Sequence, residues 1–242
     1  MQNKWYWIFR NIIFGPFLRV YNRPEIVGVD NIPSTGPAII ASNHQSVMDS
    51  FFLPLLCPRQ ITFLAKAEYF NGTTPVGRLQ KWFFTSSGSR PVNRTSASAG
   101  QDAMNTAVEV LNDGDLFGIY PEGTRSPDGR LYKGKTGVAR IALASGAQVI
   151  PVAMIGTGDV NPIGTWFPRP GKVRVKVGDP IYPIEFVNNR GLERDSYEAI
   201  RALTDHIMHQ LQQLSGQEYA DVYAAEVKKA LAEGGDSSPH NP

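Results

Sequence analysis

Four short apolar runs constrain the fold of this chain most: AIIAS (38–42), ITFLAK (61–66), LFGIY (116–120) and AQVIPVAM (147–154). Each has the length of a strand and is bounded by turn or polar residues. Between them lie stretches with helical spacing. One runs from about Val47 through Leu56. A second, 96–114, places Ala103, Ala107, Val110 and Leu111 on one face and stops at Gly114. A third, 136–146, closes on Gly146. EIVGV (25–29) reads as a strand before the turn Pro33-Ser34-Thr35-Gly36, and KVRVKVG (172–178) as an alternating strand. WFFTSS (82–87) is an apolar run of either type. Strands alternating with helices predict an α/β fold: a mixed, largely parallel sheet flanked by helices. With 242 residues, 42% hydrophobic and 19% charged, such a chain can bury a substantial core without metals or disulfides. The composition excludes a disordered chain and a polytopic membrane protein.

The C-terminal stretch is different. Asp195 and Glu198 form a capping-box pattern. Tyr197, Ile200, Leu203, Ile207, Leu211 and Leu214 then recur at three and four, predicting a long amphipathic helix. A weaker helical pattern covers about 217–232, and GGDSSPHNP reads as a disordered tail. The expected organisation is an N-terminal motif over 1–24, an α/β domain over 25–190, C-terminal helices over 191–233 and a tail over 234–242.

WYWIFRNIIFGPFLRVY (5–21) is apolar and aromatic, but Arg10 and Arg19 interrupt it and Gly15-Pro16 breaks it. A span needs about 20 predominantly apolar residues. Aromatic rings with interspersed arginines suit the headgroup boundary. The expectation is a monotopic anchor of two short helices hinged at Gly15-Pro16, set against a terminal helix packed on the protein's own core. The net charge of +2 is unevenly spread: residues 1–24 carry Lys4, Arg10, Arg19 and Arg23 and no acid, and 59–94 carries six cations against Glu68. Such stretches suit anionic headgroups or a phosphorylated substrate, or else form a solvated face. The lone Cys57, inside FFLPLLCP, reads as buried filler in a reducing compartment.

NHQSVMDS (43–50) admits two readings. In the first, Ser46 caps a helix with Asp49 at the third position, and His44 is a loop residue. In the second, His44 ends a buried strand and the Asp49 carboxylate folds back onto it. That carboxylate would fix the imidazole tautomer, leave Nε2 as a base and stabilise the imidazolium. The other histidines, His206, His209 and His240, lie outside the α/β stretch, so chemistry by histidine there falls to His44. A serine hydrolase would ordinarily present G-x-S-x-G, which is absent; Ser46 has a capping task and Ser50 is expected to point away. YPEGTRS (120–126) follows a strand, and Arg125 there suits bidentate grip of a phosphate. Glu122 either ties the loop to neighbouring backbone or meets a substrate hydroxyl. GRLYKGKT (129–136) matches the phosphate-loop pattern, but a turn precedes it where a strand is required. His206 and His209 form no metal site without further ligands.

Four blocks in order carry a family resemblance. NHQSVMDS has the NH-x4-D form, PVNR (91–94) follows, then YPEGTRS, then VIPVAM (149–154). With the flanking VGVDNIP and VKVGDPI, residues 25–182 resemble the glycerolipid acyltransferases, nearest to the 1-acyl-glycerol-3-phosphate (lysophosphatidate) acyltransferases. The resemblance implies that His44 is the general base and Asp49 orients it. It implies that Arg94 and Arg125 hold an acceptor phosphate, and that Glu122, Gly123 and Thr124 shape the acceptor site. Ile150, Pro151 and Val152 would border the acyl or acceptor region. Tyr120 stands where phenylalanine is common and Asn93 where aspartate is frequent; Arg90 and Lys66 are secondary phosphate-ligand candidates.

The implied reaction moves an acyl group from acyl-CoA or acyl carrier protein to the hydroxyl of lysophosphatidate. It needs no cofactor or metal, because a thioester is already activated. Glycerol-3-phosphate, another lysophospholipid or a glycolipid are alternative acceptors, and a membrane-bound lipid-binding protein is the non-enzyme alternative. Expected partners are membrane lipids, the donor and the acceptor, and no nucleic acid. The expected location is peripheral or monotopic, on the cytoplasmic face of a membrane.

Overall fold

The computed structural model describes residues 4–86, 88–92, 99–165 and 167–233. Its strands are β1 (Glu25–Val27), β2 (Ala38–Ser42), β3 (Ile61–Lys66), β4 (Arg90–Val92), β5 (Leu116–Ile119), β6 (Leu131–Tyr132), β7 (Gln148–Ile155), β8 (Arg174–Val177) and β9 (Tyr219–Ala220). The α-helices are α1 (Lys4–Ile8), α2 (Phe14–Tyr21), α3 (Asp49–Leu56), α4 (Pro75–Ser86), α5 (Ala99–Asn112), α6 (Gly137–Ser145), α7 (Thr157–Val160), α8 (Pro183–Asn188), α9 (Tyr197–Ser215) and α10 (Ala224–Ala232).

Seven strands form one sheet in the order β1-β8-β7-β2-β5-β3-β4, and β6 pairs separately with β9. Every pair in the large sheet is parallel except β7 with β8. The mixed, largely parallel sheet expected from the sequence is therefore present. AIIAS is apolar throughout because β2 is covered on both faces. Ile39 and Ala41 join the core beneath α5, α6, α8 and α9, whereas Ala38 and Ile40 join the core that includes Leu18, Phe52 and Leu53. Alternate residues of a strand point to opposite faces, so a doubly covered strand loses the alternation of a half-exposed one. β5 repeats the arrangement with Phe117 and Leu116. At Gly118 a Cβ would sit 2.4 Å from the Phe63 ring, so the aromatic lies directly on the strand backbone.

Several local expectations change. Residues 4–21 form one unbroken helical run without a hinge at Gly15-Pro16: α1 passes through a π-helical turn, Phe9–Ile13, into α2. Proline lacks an N–H and its ring clashes with the preceding turn; a widened π turn just upstream accommodates it. Gly15 fits because a Cβ there would meet the Arg10 carbonyl at 1.7 Å. This run also packs on the protein. The Tyr6 hydroxyl donates to the Pro54 carbonyl at 2.8 Å, and Leu18 is buried. Trp7, Ile12, Phe17 and Val20 face outward. No helix among the described residues is long and apolar enough to cross a membrane.

Val29 lies in a 3-10 turn, after Gly28 takes a left-handed φ of 77° and ends β1. WFFTSS belongs to α4 as far as Ser86. The long C-terminal helix is capped by Ser196, whose Oγ accepts from the Ala199 N–H, in place of Asp195; Tyr197 is 68% exposed and outside the core. Residues 217–223 hold β9 and turns, so only α10 remains of the weaker helix. Asn93, Arg94 and the tail 234–242 lie outside the described residues.

Arg59 leaves the set of available surface cations. Its guanidinium donates to the carbonyls of Pro33 at 3.0 Å, Gly36 at 2.7 Å and Gly114 at 2.8 Å, tying the turns before β2 and β5 together. Arg59→Met is expected to cost about 2 kcal/mol of stability, the scale of hydrogen bonds to a charged group, read as a lower urea midpoint at unchanged m-value.

Candidate active site

β2, β5, β3 and β4 are adjacent and parallel, so the segments leaving their C-terminal ends meet at one edge, where open α/β sheets place ligands. His44 follows β2, the Glu122–Arg125 loop follows β5, and Lys66 ends β3. Residues far apart in sequence are thereby gathered by strand direction alone.

In NHQSVMDS the Asp49 carboxylate folds back onto His44, as the second reading expects, whereas the cap of the first reading is only partly made. Asp49 is fully buried, and its Oδ2 receives three donors: His44 Nδ1 at 2.9 Å, Gln45 N–H at 2.7 Å and Ser46 N–H at 2.9 Å. An ionised carboxylate only accepts, so Nδ1 carries the proton and Nε2 is the basic nitrogen. Ser46 Oγ in turn accepts from the Met48 N–H at 3.1 Å and donates to Asn161. Only half of the expected capping box is made: Asp49 reaches back to the Ser46 N–H, but Ser46 Oγ takes the Met48 N–H and not that of Asp49, and regular helix starts at Asp49, with Met48 and not Ser46 as its N-cap. Asp49 Oδ1 is buried without a partner.

The His44 ring stacks on Tyr120 with centroids 3.9 Å apart and planes 11° from parallel, and Tyr120 stacks on Phe63 at 5.5 Å. Tyr120 hydroxyl and Ser50 Oγ are 3.1 Å apart. Ser50 therefore faces the cavity, contrary to the expectation that it points away; one turn of α3 brings it beside Tyr120. Burial, then the Asp49 charge, pushes the Tyr120 phenol well above its usual range, so it stays a neutral hydrogen-bonding wall.

Glu122 is 1% exposed and ties the loop to backbone: it accepts from the His44 N–H at 2.9 Å and the Tyr132 N–H at 3.0 Å. Burial pushes its carboxyl up to about 7, partly offset by those two N–H groups. Of the two roles open to it in the sequence, the structure places it in the first. Gly123 takes a left-handed φ of 74°, and a Cβ would lie 3.1 Å from the Lys135 side chain. The Ser126 N–H donates to the His44 carbonyl at 2.7 Å, so both backbone groups of His44 are held by this loop.

These elements line a cavity of about 790 Å³. The lining includes apolar side chains, among them Phe63, Leu64, Phe84, Met104 and Ile141, the cations Lys66, Arg125, Lys135 and Arg140, and His44. Lys135 and Arg140 were missed in the sequence. Lys135 belongs to GRLYKGKT, whose lysine does sit beside a glycine turn, though the turn is Gly123 of a different loop. Lys66 lines the cavity and lies 3.6 Å from Glu68. Arg90 does not line it; its guanidinium is directed to Asp113 at 3.2 Å and Glu109 at 3.9 Å on α5. Ile150, Pro151 and Val152 are buried within β7, where they pair with β2, and none reaches the cavity. Their apolar run marks a central strand, which is a packing demand. Among the described residues no group of three or more His, Cys, Asp or Glu is placed to hold a metal, and Cys57 is buried.

The comparisons with known proteins agree with this architecture. The acyltransferase family profile matches residues 23–155, more than half of the chain. The chain is 32% identical over 177 residues to the chloroplastic 1-acyl-sn-glycerol-3-phosphate acyltransferase LPAT1 of Arabidopsis thaliana, covering 72% of this chain and 47% of that protein. It is 27% identical over 201 residues to the 1-acyl-sn-glycerol-3-phosphate acyltransferase of Bacillus subtilis, covering 81% and 87%. The chain spans about half of the length of several of the plant and algal relatives it matches. The crystal structure of the 1-acyl-sn-glycerophosphate acyltransferase PlsC from Thermotoga maritima superposes with a TM-score of 0.65 at 26% identity, over 88% of this chain and 81% of that one. By its sequence profile, its fold and the order of its motifs, this chain belongs to the acyltransferase family.

Proposed function

We propose that the protein transfers a fatty acyl group from an acyl thioester, acyl-CoA or acyl carrier protein, to the free hydroxyl of lysophosphatidate, giving phosphatidate for phospholipid synthesis. The observation that carries this is the His44–Asp49 pair, 2.9 Å apart, with His44 lining a cavity that both apolar side chains and four cations also line. The names of the relatives support lysophosphatidate as the acceptor, and a lining of apolar and cationic side chains suits a molecule with one acyl tail and one phosphate.

In this reading the acceptor hydroxyl attacks the thioester carbonyl while His44 Nε2 removes its proton, and Asp49 stabilises the imidazolium. The C–S bond then breaks, and the departing thiolate takes the proton back from His44. General-base assistance of this kind contributes roughly 10²–10⁴ in rate. Stacking on Tyr120 holds the imidazole plane, and a ring face favours the cation as it forms. Arg125 and Lys135 hold the phosphate, and that fixed end orients the hydroxyl at the far side of the glycerol unit; positioning can lower a barrier by several kcal/mol, up to about 7–11. Gly123 and Thr124 shape the acceptor site, and Glu122 supports it from beneath. Arg94 lies outside the described residues, and its part in binding the phosphate rests on the family resemblance alone.

The membrane is reached through the outward face of residues 4–21. Trp7, Ile12, Phe17 and Val20 are exposed apolar groups on a run whose other side, Tyr6 and Leu18, is docked on the protein. Such a face lies in the interfacial layer, as a monotopic anchor on the cytoplasmic face.

Mass spectrometry of products from lysophosphatidate and an acyl thioester is expected to show phosphatidate; binding of lysolipid without thiol release would point to the lipid-binding alternative. His44→Ala should lower turnover at least about 10²-fold with unchanged circular dichroism, and near-normal turnover would contradict the mechanism. Arg125→Ala should raise KM for a phosphorylated acceptor about tenfold or more and leave an acceptor without phosphate little affected. Replacing Trp7, Ile12, Phe17 and Val20 together by serine should release the folded protein from vesicles in sedimentation, because none of the four is part of the core.

A further inference from the structure

The resemblance over residues 25–182 leaves α10 without a role. Its place in the fold is nonetheless closely specified. β9 pairs with β6 just beyond the Glu122–Arg125 loop, Leu131↔Tyr219 and Tyr132↔Ala220. The Leu131 N–H donates to the Glu218 carbonyl, and the Lys133 N–H to Ala220 and Val222. Gln217 spans further: its Oε1 accepts from Asn43 at 2.7 Å, and its Nε2 donates to the Gly129 carbonyl at 2.6 Å. Ala224 is buried with Val227 against Tyr132. Tyr132 is the residue whose N–H meets Glu122. The start of α10 is thus stitched to the same loop that holds His44.

Lys228 lies on that helix, one turn beyond Ala224. Its Nζ donates to Thr124 Oγ1 at 2.8 Å, and Thr124 and Arg125 both line the cavity. An ammonium has three donors, and Thr124 takes one. Other cations of this segment have carboxylate partners: Lys133 with Asp221 at 3.0 Å, and Lys229 with Glu233 at 3.9 Å. Among the described residues Lys228 has no carboxylate within ion-pair distance. Burial, and after it the neighbouring Arg125 guanidinium, holds its pKa below the usual lysine range, with Glu122 partly offsetting them. Glu122 cannot serve as a full counter-ion, since both its oxygens are committed to N–H groups. Thr124, which holds the ammonium, directly precedes Arg125, and among the described residues neither cation has a carboxylate within ion-pair distance, so this loop offers a place that an anion would neutralise.

We propose that Lys228 is a further phosphate-binding and specificity-determining residue, delivered by the C-terminal helix so that Thr124, Arg125 and Lys228 grip one phosphate monoester together. The proposal rests on the acyl-transfer reading above and assigns the phosphate to the acceptor. The donor acyl-CoA also carries a phosphate monoester, and the two sources are separable by kinetics.

The test uses the full-length protein with lysophosphatidate, with monoacylglycerol of the same chain, and with acyl-CoA as donor. Lys228→Met is expected to raise KM for lysophosphatidate about tenfold, equivalent to about 1.4 kcal/mol. Its kcat should stay within about twofold, below the scale at which a group acting on the chemical step is lost. KM for acyl-CoA and turnover of monoacylglycerol should not move, and Lys228→Arg should restore the lysophosphatidate KM. An unchanged lysophosphatidate KM would overturn the proposal, as would a rise confined to acyl-CoA, which would assign Lys228 to the donor. Equal losses on both acceptors together with a lowered melting temperature would show that α10 is only a structural strap. Wild-type protein that acylates no lysophosphatidate would sink the underlying reading and this proposal with it; normal wild-type turnover with an indifferent Lys228→Met sinks this proposal alone.

Discussion

The Asp49 carboxylate is the constraint on which the site depends. A buried carboxylate is costly unless hydrogen bonds or a paired group compensate it, and here the compensation is concentrated on Oδ2, which takes three donors while Oδ1 has none. Two of the three are backbone N–H groups of the turn that leads into α3. The third is the imidazole. Folding the turn and orienting His44 are consequently one event, and removal of the carboxylate would disturb both.

Glu122 does the same for the backbone. It stands under the site and joins three segments: the end of β2 through His44, the loop after β5 through itself, and β6 through Tyr132. β6 then carries the connection on to β9 and α10. A chain of short hydrogen bonds therefore links the NHQSVMDS turn, the PEGTRS loop and the C-terminal segment. Its cost is a carboxyl pushed up to about 7 by burial, a group left close to the boundary between its two protonation states at physiological pH.

The cavity combines features that ordinarily exclude one another. Apolar side chains from β3, α4, α5 and α6 lie near Lys66, Arg125, Lys135 and Arg140. Long basic side chains can share a lining with apolar groups because their stems are themselves apolar. The outward-facing aromatic and aliphatic residues of 4–21 supply the corresponding feature on the exterior.

Much of this was legible in the residues. Continuous apolar runs such as AIIAS announce doubly covered strands, because burial on both faces removes alternation. The spacing from His44 to Asp49 announces the pair, since five residues suffice to turn from a strand end into a helix. Other features were not legible. Pro16 reads as a break until a π turn absorbs it. Ile150, Pro151 and Val152 read as site residues, although their apolar character serves β7. Ser50 and Lys135 acquire meaning only from what they face.

The sequence by itself determined the alternation of strands and helices, the pairing of His44 with Asp49 and the arginine after β5, because each depends on neighbours within a few residues. Only the tertiary structure decided that Tyr120 stacks on His44, that Lys135 lies under Gly123 and that Lys228 reaches Thr124. Those contacts depend on strand order and on the return of the chain's last helix, which no local pattern encodes.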